Sequence, residues 1–353
     1  MKKLNMNLGS ITSNIIIEKG IIKNAGREIR KVYSNIKIAV VTDENVFGLY
    51  GVILEKSLAA ENFTPTFIVI KPGEQSKTVD TLKHVYSNLV SMGITRGDLI
   101  VALGGGVVGD LAGFAASTYL RGIDFVQIPT SLLAQIDSSI GGKVAVNLDE
   151  GKNLIGSFYH PKLVLVDPEV LNSLPEKFVK DGLGEAIKYG CIRDKELFSM
   201  LLDIKGHFEL LDNIEDIIFR CLSIKKETVE MDEKDKGIRM LLNFGHTIGH
   251  AIEKYFNYEK YSHGEAVSVG MYWITKKSEE MGITEKGTSD KIKGVLENYG
   301  IEYIIPHLDR EEIIKNILVD KKNISGKLNL ILLKDIGNAF IHTIPEEETS
   351  KFI

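Results

Sequence analysis

His246 and His250 stand four residues apart in Leu241-Leu242-Asn243-Phe244-Gly245-His246-Thr247-Ile248-Gly249-His250-Ala251. On a helix that interval puts both imidazoles on one face, and Asn243 falls one turn earlier on the same stripe. A third imidazole, His263, opens another helical pattern in His263-Gly264-Glu265. Glu185 lies on an earlier one, Gly182-Leu183-Gly184-Glu185-Ala186-Ile187-Lys188, with Lys188 one turn on. One carboxylate with two or three imidazoles is the donor set of catalytic zinc, which keeps a position open for water or substrate. Two buried histidines satisfied by their neighbours would give the same letters. The chain has no His-Glu-x-x-His string, which disfavours a zincin protease, and no Gly-x-Ser-x-Gly elbow.

A second constellation suits a phosphate. The apolar residues 99–103 lead into Gly104-Gly105-Gly106-Val107-Val108-Gly109-Asp110 and then a helical pattern. Glycines permit positive φ and close backbone approach, and a helix N-terminus offers N–H groups to an anion. The letters satisfy G-x-G-x-x-G, a weak signal alone. Asp43, ending another apolar strand, adds a carboxylate where an adenosine ribose hydroxyl is commonly met. In Pro72-Gly73-Glu74-Gln75-Ser76-Lys77, Glu74 and Lys77 share one side of an opening helical turn. A capping carboxylate and a solvated lysine would look the same.

Cationic residues flank these segments. Lys143 and Lys152 lie in the glycine-rich region, with Asn153 beside Lys152; Lys188 follows Glu185; Lys225 and Arg239 precede the histidine run; Lys321 and Lys322 come late. Charges on helices are usually solvated. If these converge on the metal, they form a pocket for a substrate with more than one anionic group.

The elements that must position these groups differ between the two halves. Strand patterns at 15–17, 36–42, 67–70, 99–103, 125–128 and 163–166 are rich in Val and Ile, several apolar throughout, as in doubly covered parallel sheets. Helical patterns at 49–61, 78–92 and 107–119 fall between them, which gives an α/β domain over 1–170. Residues 138–147, carrying Gly141 and Gly142, form a hairpin or a turn. From 171 to 353 amphipathic patterns dominate, at 175–189, 195–208, 214–231, 244–256, 264–281 and 290–299, followed by two late strands at 328–333 and 339–343. That half is mainly helical, and a ligand site between the domains is the default expectation. A net charge of −5 argues against nucleic-acid binding. Two cysteines, no signal-peptide pattern and no apolar run of membrane-spanning length fit a cytoplasmic protein.

The residues also resemble a known family. The 104–122 string, the 127–143 string from Gln127-Ile128-Pro129-Thr130-Ser131 to Gly141-Gly142-Lys143, and 241–250 resemble 3-dehydroquinate synthases, in matches spread from Asp43 to about Gly337. The resemblance implies an N-terminal NAD-binding α/β domain and a helical C-terminal domain holding zinc, with cobalt as an alternative, on Glu185, His246 and His263. It implies cofactor positions at Asp43, Glu74, Lys77, Gly104, Gly105, Gly106, Asp110, Thr130, Ser131, Lys143 and Lys152. It implies substrate positions at Asp137, Lys143, Lys152, Asn153, Lys188, Lys225, Arg239, Asn243 and His250, with one of Lys321 and Lys322. Arg121 resembles an arginine that reaches into a neighbouring subunit's site, which implies a homodimer. The implied reaction is that of a carbon–oxygen lyase acting on phosphates. It converts 3-deoxy-D-arabino-heptulosonate 7-phosphate, a phosphorylated sugar acid, to 3-dehydroquinate and phosphate in the shikimate pathway. The steps are transient oxidation at C5, phosphate elimination, re-reduction and aldol cyclisation. The family usually has alanine where Gly184 stands, and glycine there should cost the helix about 1 kcal/mol. Rival readings are a glycerol- or iron-type alcohol dehydrogenase, a sister sugar-phosphate cyclase acting on a substrate without the carboxylate, and a non-catalytic protein on an old enzyme fold.

Overall fold

Strands that are apolar at every position need cover on both faces. The computed structural model describes residues 1–9, 11–305, 308–320 and 326–353 and holds nine strands before residue 170. They are β1 (Lys2–Leu8), β2 (Ile11–Ile17), β3 (Lys37–Asp43), β4 (Thr64–Ile70), β5 (Leu99–Gly104), β6 (Phe125–Pro129), β7 (Lys143–Leu148), β8 (Gly151–Phe158) and β9 (Leu163–Val166). Seven form one sheet in the order β1-β2-β9-β6-β5-β3-β4, parallel except for β1. The helices among them are α1 (Ala25–Arg30), α2 (Glu44–Val46), α3 (Val52–Ala60), α4 (Val79–Ser91) and α5 (Gly106–Thr118).

Successive residues of a strand face opposite sides. Ile38 and Val40 of β3 therefore join Ile29 of α1 and Leu54 and Leu58 of α3 in one core. Ala39 and Val41 join Leu82 and Val85 of α4 and Leu111 and Ala112 of α5 in the other. Each fully buried Leu or Ile contributes about 2 kcal/mol. β4 lies outside β3 and β5 on its other side, so the strand order reverses between β3 and β5. In open α/β sheets ligands bind beyond the carboxyl ends of the strands at such a reversal. Asp43 ends β3 and Gly104 ends β5.

The 138–147 segment is a turn followed by a strand. Gly141 and Gly142 both take positive φ, 92° and 70°, ahead of β7, which pairs antiparallel with β8. The sequence reading has no strand at β8, because its largely exposed face carries no clean apolar alternation. β1 was also unexpected, although Leu4, Met6 and Leu8 alternate with polar residues at the strand period.

The chain divides into two compact units, Met1–Leu174 with Lys225–Lys234, and Pro175–Ile224 with Asp235–Ile353. The second contains α6 (Glu176–Ile192), α7 (Lys195–Asp203), most of α8 (Gly206–Met231), α9 (His246–Tyr255), α10 (His263–Glu280), α11 (Thr288–Asn298), α12 (Arg310–Asp320), the hairpin of β10 (Lys327–Asp335) and β11 (Asn338–Pro345), and α13 (Thr349–Phe352). Helix α7 stops at Asp203, short of the expected 208, and Gly206 at φ 78° starts α8 as one continuous helix. Helix α12 is an addition to the expected set. Its charged start, Arg310-Glu311-Glu312, masks a short apolar stripe of Ile313 and Ile317, both buried. Asn243 does not continue the histidine helix. It ends a 3₁₀ helix, Ile238–Asn243, and Gly245 at φ 78° turns the chain before α9 begins at His246.

Candidate active site

In the second unit, three helices come together where glycine removes the side chain between them. A Cβ on Gly184 of α6 would lie 2.6 Å from the Gly264 carbonyl oxygen of α10, and one on Gly264 would lie 2.0 Å from that of Asp181. Gly245, at the start of α9, and Gly270 of α10 meet in the same way, 2.0 Å from a Gly270 Cβ to the Gly245 oxygen. This backbone-to-backbone packing brings Glu185 of α6, His246 of α9 and His263 of α10 into one cluster.

His263 is the first residue of its helix and is held from both sides. Ser262 and Glu265 form a reciprocal capping box around it, and the Gly264 N–H donates to Asp181 Oδ1 at 2.6 Å. Glu185 is fully buried. Its Oε2 accepts a hydrogen bond from Lys188 Nζ, one turn on. Its Oε1 has no hydrogen-bond partner. It faces His246 Nε2 at 3.4 Å and His263 Nε2 at 3.6 Å, approaches within ion-pair range that lack hydrogen-bond geometry.

The opposite ring nitrogens fix how these imidazoles present themselves. His246 Nδ1 lies 3.1 Å from the Phe244 carbonyl, which can only accept, so Nδ1 carries the proton and Nε2 its lone pair. Burial, then the charge of Lys188, holds the His246 pKa well below the usual range and keeps the ring neutral. His263 Nδ1 lies 3.3 Å from the buried carboxylate of Glu253. Burial opposes charge on His263, but Glu253 and then Glu185 outweigh it and raise its pKa to about 9. The place between these groups therefore attracts a cation, and a metal would displace the proton.

The first unit carries a different kind of cluster. Gly104, Gly105 and Gly106 join the end of β5 to α5, with Gly105 capping the helix. None of the three has positive φ. The reason for glycine is space: a Cβ on Gly104 would strike Val108 at 2.6 Å, and one on Gly106 would lie 3.1 Å from Ser138 Oγ. The Thr130 N–H donates to the Gly104 oxygen at 3.0 Å, and Ser131 Oγ accepts from the Ala134 N–H. Lys77 is buried, and its ammonium donates to Asp110 Oδ2 and Asn153 Oδ1. Burial raises the Asp110 pKa, with the charge of Lys77 pulling the other way. Lys225 Nζ donates to the Asp137 carbonyl at 2.8 Å and to its Oδ1 at 2.9 Å.

Residues 67–181 match the family described as 3-dehydroquinate synthase N-terminal, and residues 182–323 the one described as 3-dehydroquinate synthase C-terminal. The chain belongs to the 3-dehydroquinate synthase family. It is 57% identical to a 3-dehydroquinate synthase of Clostridium botulinum (strain Alaska E43 / Type E3) over 97% of both chains. Among solved structures it is similar to 2-deoxy-scyllo-inosose synthase complexed with carbaglucose-6-phosphate, NAD+ and Co2+, at 25% identity and a TM-score of 0.87 over 100% of both chains. It is also similar to 2-epi-5-epi-valiolone synthase from Streptomyces hygroscopicus subsp. jinggangensis 5008 with NAD+ and Zn2+ bound, at 26% identity and a TM-score of 0.87 over 97% of this chain and 96% of that one.

Within this 3-dehydroquinate synthase fold, Glu185, His246 and His263 offer three ligand atoms within 4.8 Å of one another. The carboxylate oxygen without a hydrogen-bond partner and the two Nε2 atoms fit a divalent metal that takes N and O ligands. His250, Glu253 and His263 form a second such group, in which His250 is exposed on α9, one turn past His246. Arg239 is buried and Asn243 half-buried, both on the 3₁₀ helix before α9. Lys143 and Asn153 are exposed and Lys152 half-buried, all on the β7–β8 hairpin. Asp43 caps α2, its Oδ1 accepting from Asn45 N and Val46 N at 2.9 and 3.0 Å. Glu74 accepts from Asn147. Arg121 is exposed at φ 71°, next to Leu120 at φ 51°. Lys321 and Lys322 lie outside the described residues.

Five supporting residues escape the sequence reading. Glu253 had a signal, three residues after His250 and seven after His246 on the same helical stripe. Ser262 and Glu265 spell a capping box. Asp181 and Asn147 act across packing contacts that no local pattern announces.

Proposed function

We propose that the chain converts 3-deoxy-D-arabino-heptulosonate 7-phosphate to 3-dehydroquinate and phosphate. The observation that carries the reading is the buried Glu185 carboxylate, with one oxygen held by Lys188 and the other turned to two Nε2 atoms. Glu185, His246 and His263 hold the metal, zinc or cobalt, while Asp110, Lys77, Glu74, Asp43, Thr130, Ser131 and the Gly104-Gly105-Gly106 turn serve NAD. When bound, NAD supplies reversible hydride transfer at C5 and the metal supplies Lewis acidity toward the substrate hydroxyls.

The chain's own groups do the rest. The helix N-terminus after Gly105 offers N–H groups to the pyrophosphate. Lys143, Lys152, Asn153 and His250 grip the substrate phosphate; Arg239, Lys225 and Asn243 take the carboxylate end. Asp137 and Lys188 orient the hydroxyls. Holding the phosphate beside the C6 proton makes proton transfer and elimination an intramolecular matter of position.

We extend the proposal to a cytoplasmic homodimer. Support comes from the strained, exposed backbone at Arg121, the kind of conformation that clusters at functional sites. No helix among the described residues is long and apolar enough to cross a membrane.

The test is to mix purified protein with the phosphorylated sugar acid, zinc and a trace of NAD, and to follow free phosphate and NADH absorbance together. Phosphate release far beyond the NAD present, without NADH build-up, is the expected result. NADH rising on simple polyols with no phosphate would move the chain to the dehydrogenases.

A further inference from the structure

Asn147 stands where three proposed binding segments meet, although no pattern in the sequence marks it. The β7–β8 register runs from Val146 opposite Ile155 to Leu148 opposite Gly151, so Asn147 alone spans Lys152, Asn153 and Leu154. Such a bulge bends a strand and re-aims its side chains. Here it sets Asn153 at φ 58°, a left-handed conformation that asparagine adopts more readily than most residues with a side chain and that local hydrogen bonds support.

Asn147 supplies that support. Its Oδ1 accepts the Asn153 N–H at 2.8 Å, its Nδ2 donates to Glu74 Oε1 at 2.7 Å, and its backbone N–H donates to the Lys77 oxygen at 2.8 Å. Lys77 in turn donates to Asn153 Oδ1 and to Asp110. One side chain therefore bonds with its acceptor end to the bulge that carries Lys152 and Asn153, and with its donor end to Glu74 in the turn that precedes Lys77.

We infer that Asn147 is a positioning residue that holds the phosphate-side bulge and the cofactor-side carboxylate in mutual register. The inference rests on the proposed roles of Glu74, Lys152 and Asn153. An amide is required because the two bonds have opposite polarity. Aspartate keeps the acceptor for Asn153 but loses the donor and sets a second carboxylate against Glu74. Alanine loses both.

The test compares Asn147→Asp and Asn147→Ala with the unaltered enzyme, reading the NAD dissociation constant by titration calorimetry and kcat and KM for the phosphorylated sugar acid. Asn147→Asp should weaken NAD binding about tenfold while the sugar-acid KM stays within about twofold. Asn147→Ala should raise both constants and lower kcat about tenfold or more. Identical changes in the two variants, or NAD binding unchanged in Asn147→Asp, would overturn the inference. If Asn147→Ala fails to fold, the split within Asn147→Asp still decides. An unaltered enzyme that neither binds NAD nor releases phosphate would instead sink the functional reading itself.

Discussion

The two clusters solve opposite electrostatic problems. Around Lys77 the charges are balanced inside the protein: ammonium, carboxylate and amides satisfy one another, and the shape stands complete. Around Glu185 a hydrogen-bond acceptor is left over. A buried carboxylate oxygen faces two imidazole nitrogens, one of them with its lone pair pointed inward. A buried acceptor left unpaired costs about 1–3 kcal/mol, more when charged. Proteins tolerate that where an ion repays it. The contrast separates a surface shaped to receive a ligand from one that a ligand completes.

The largest effect should come from breaking the second cluster. With Glu185 as the proposed metal ligand, Glu185→Gln removes a charge that would draw the ion, and metal content at equal exposure should fall beyond about a hundredfold, together with phosphate release. Elemental analysis after dialysis checks it. Retained metal would show that the imidazoles alone hold the ion.

Breaking the balance around Lys77 should appear in stability. Lys77→Met strands Asp110 without its ammonium and should cost about 3 kcal/mol by urea unfolding. Burial already raises the Asp110 carboxyl above its ordinary value. A raised folded pKa gives stability that is present below the unfolded pKa and is lost as pH rises through the folded one. Without Lys77 that folded value climbs further, so the deficit in Lys77→Met should shrink on acidification. A deficit that grows at lower pH would contradict this assignment.

A subtler change tests whether the metal-facing groups are oriented by their neighbours. Glu253→Gln should weaken zinc or cobalt binding about 10–100-fold, because the carboxylate that accepts from His263 Nδ1 also raises the basicity of its Nε2. The visible spectrum of the cobalt-loaded protein would report the altered ligand field directly.

How much of this was legible in the sequence follows the same divide. Strands apolar throughout specified a doubly covered parallel sheet, and Asp43 and Gly104 could be placed at its carboxyl edge because strand ends are local features. The spacing of His246 and His250 fixed their shared face for the same reason. What failed needed contact information. The glycines of the 104–106 turn are there for space, set by Val108 and Ser138, whereas the sequence suggested backbone freedom. Asn243 was read onto the histidine helix because a left-handed Gly245 is invisible in a periodicity argument. Lys77 could pass for a solvated lysine until Asp110, 33 residues on, was seen against it.

The smallest expected effect bears on how the metal cluster is assembled at all. Gly184 costs α6 about 1 kcal/mol in helix propensity, and its alanine variant should recover that in an isolated helix. In the folded protein the added Cβ would lie 2.6 Å from a backbone oxygen of Gly264 and 2.9 Å from its Cα. Backbone cannot rotate aside as a side chain can, so α6 and α10 must move apart, at an overpacking cost of about 1–3 kcal/mol. Gly184→Ala should therefore lose about 1 kcal/mol net in urea unfolding. The same displacement carries Glu185, the next residue, away from His263, the residue before Gly264, so metal affinity should fall with stability. A variant more stable than the parent with unchanged metal affinity would mean the crossing has slack. In that case the close glycine packing would not be what brings the ligands together.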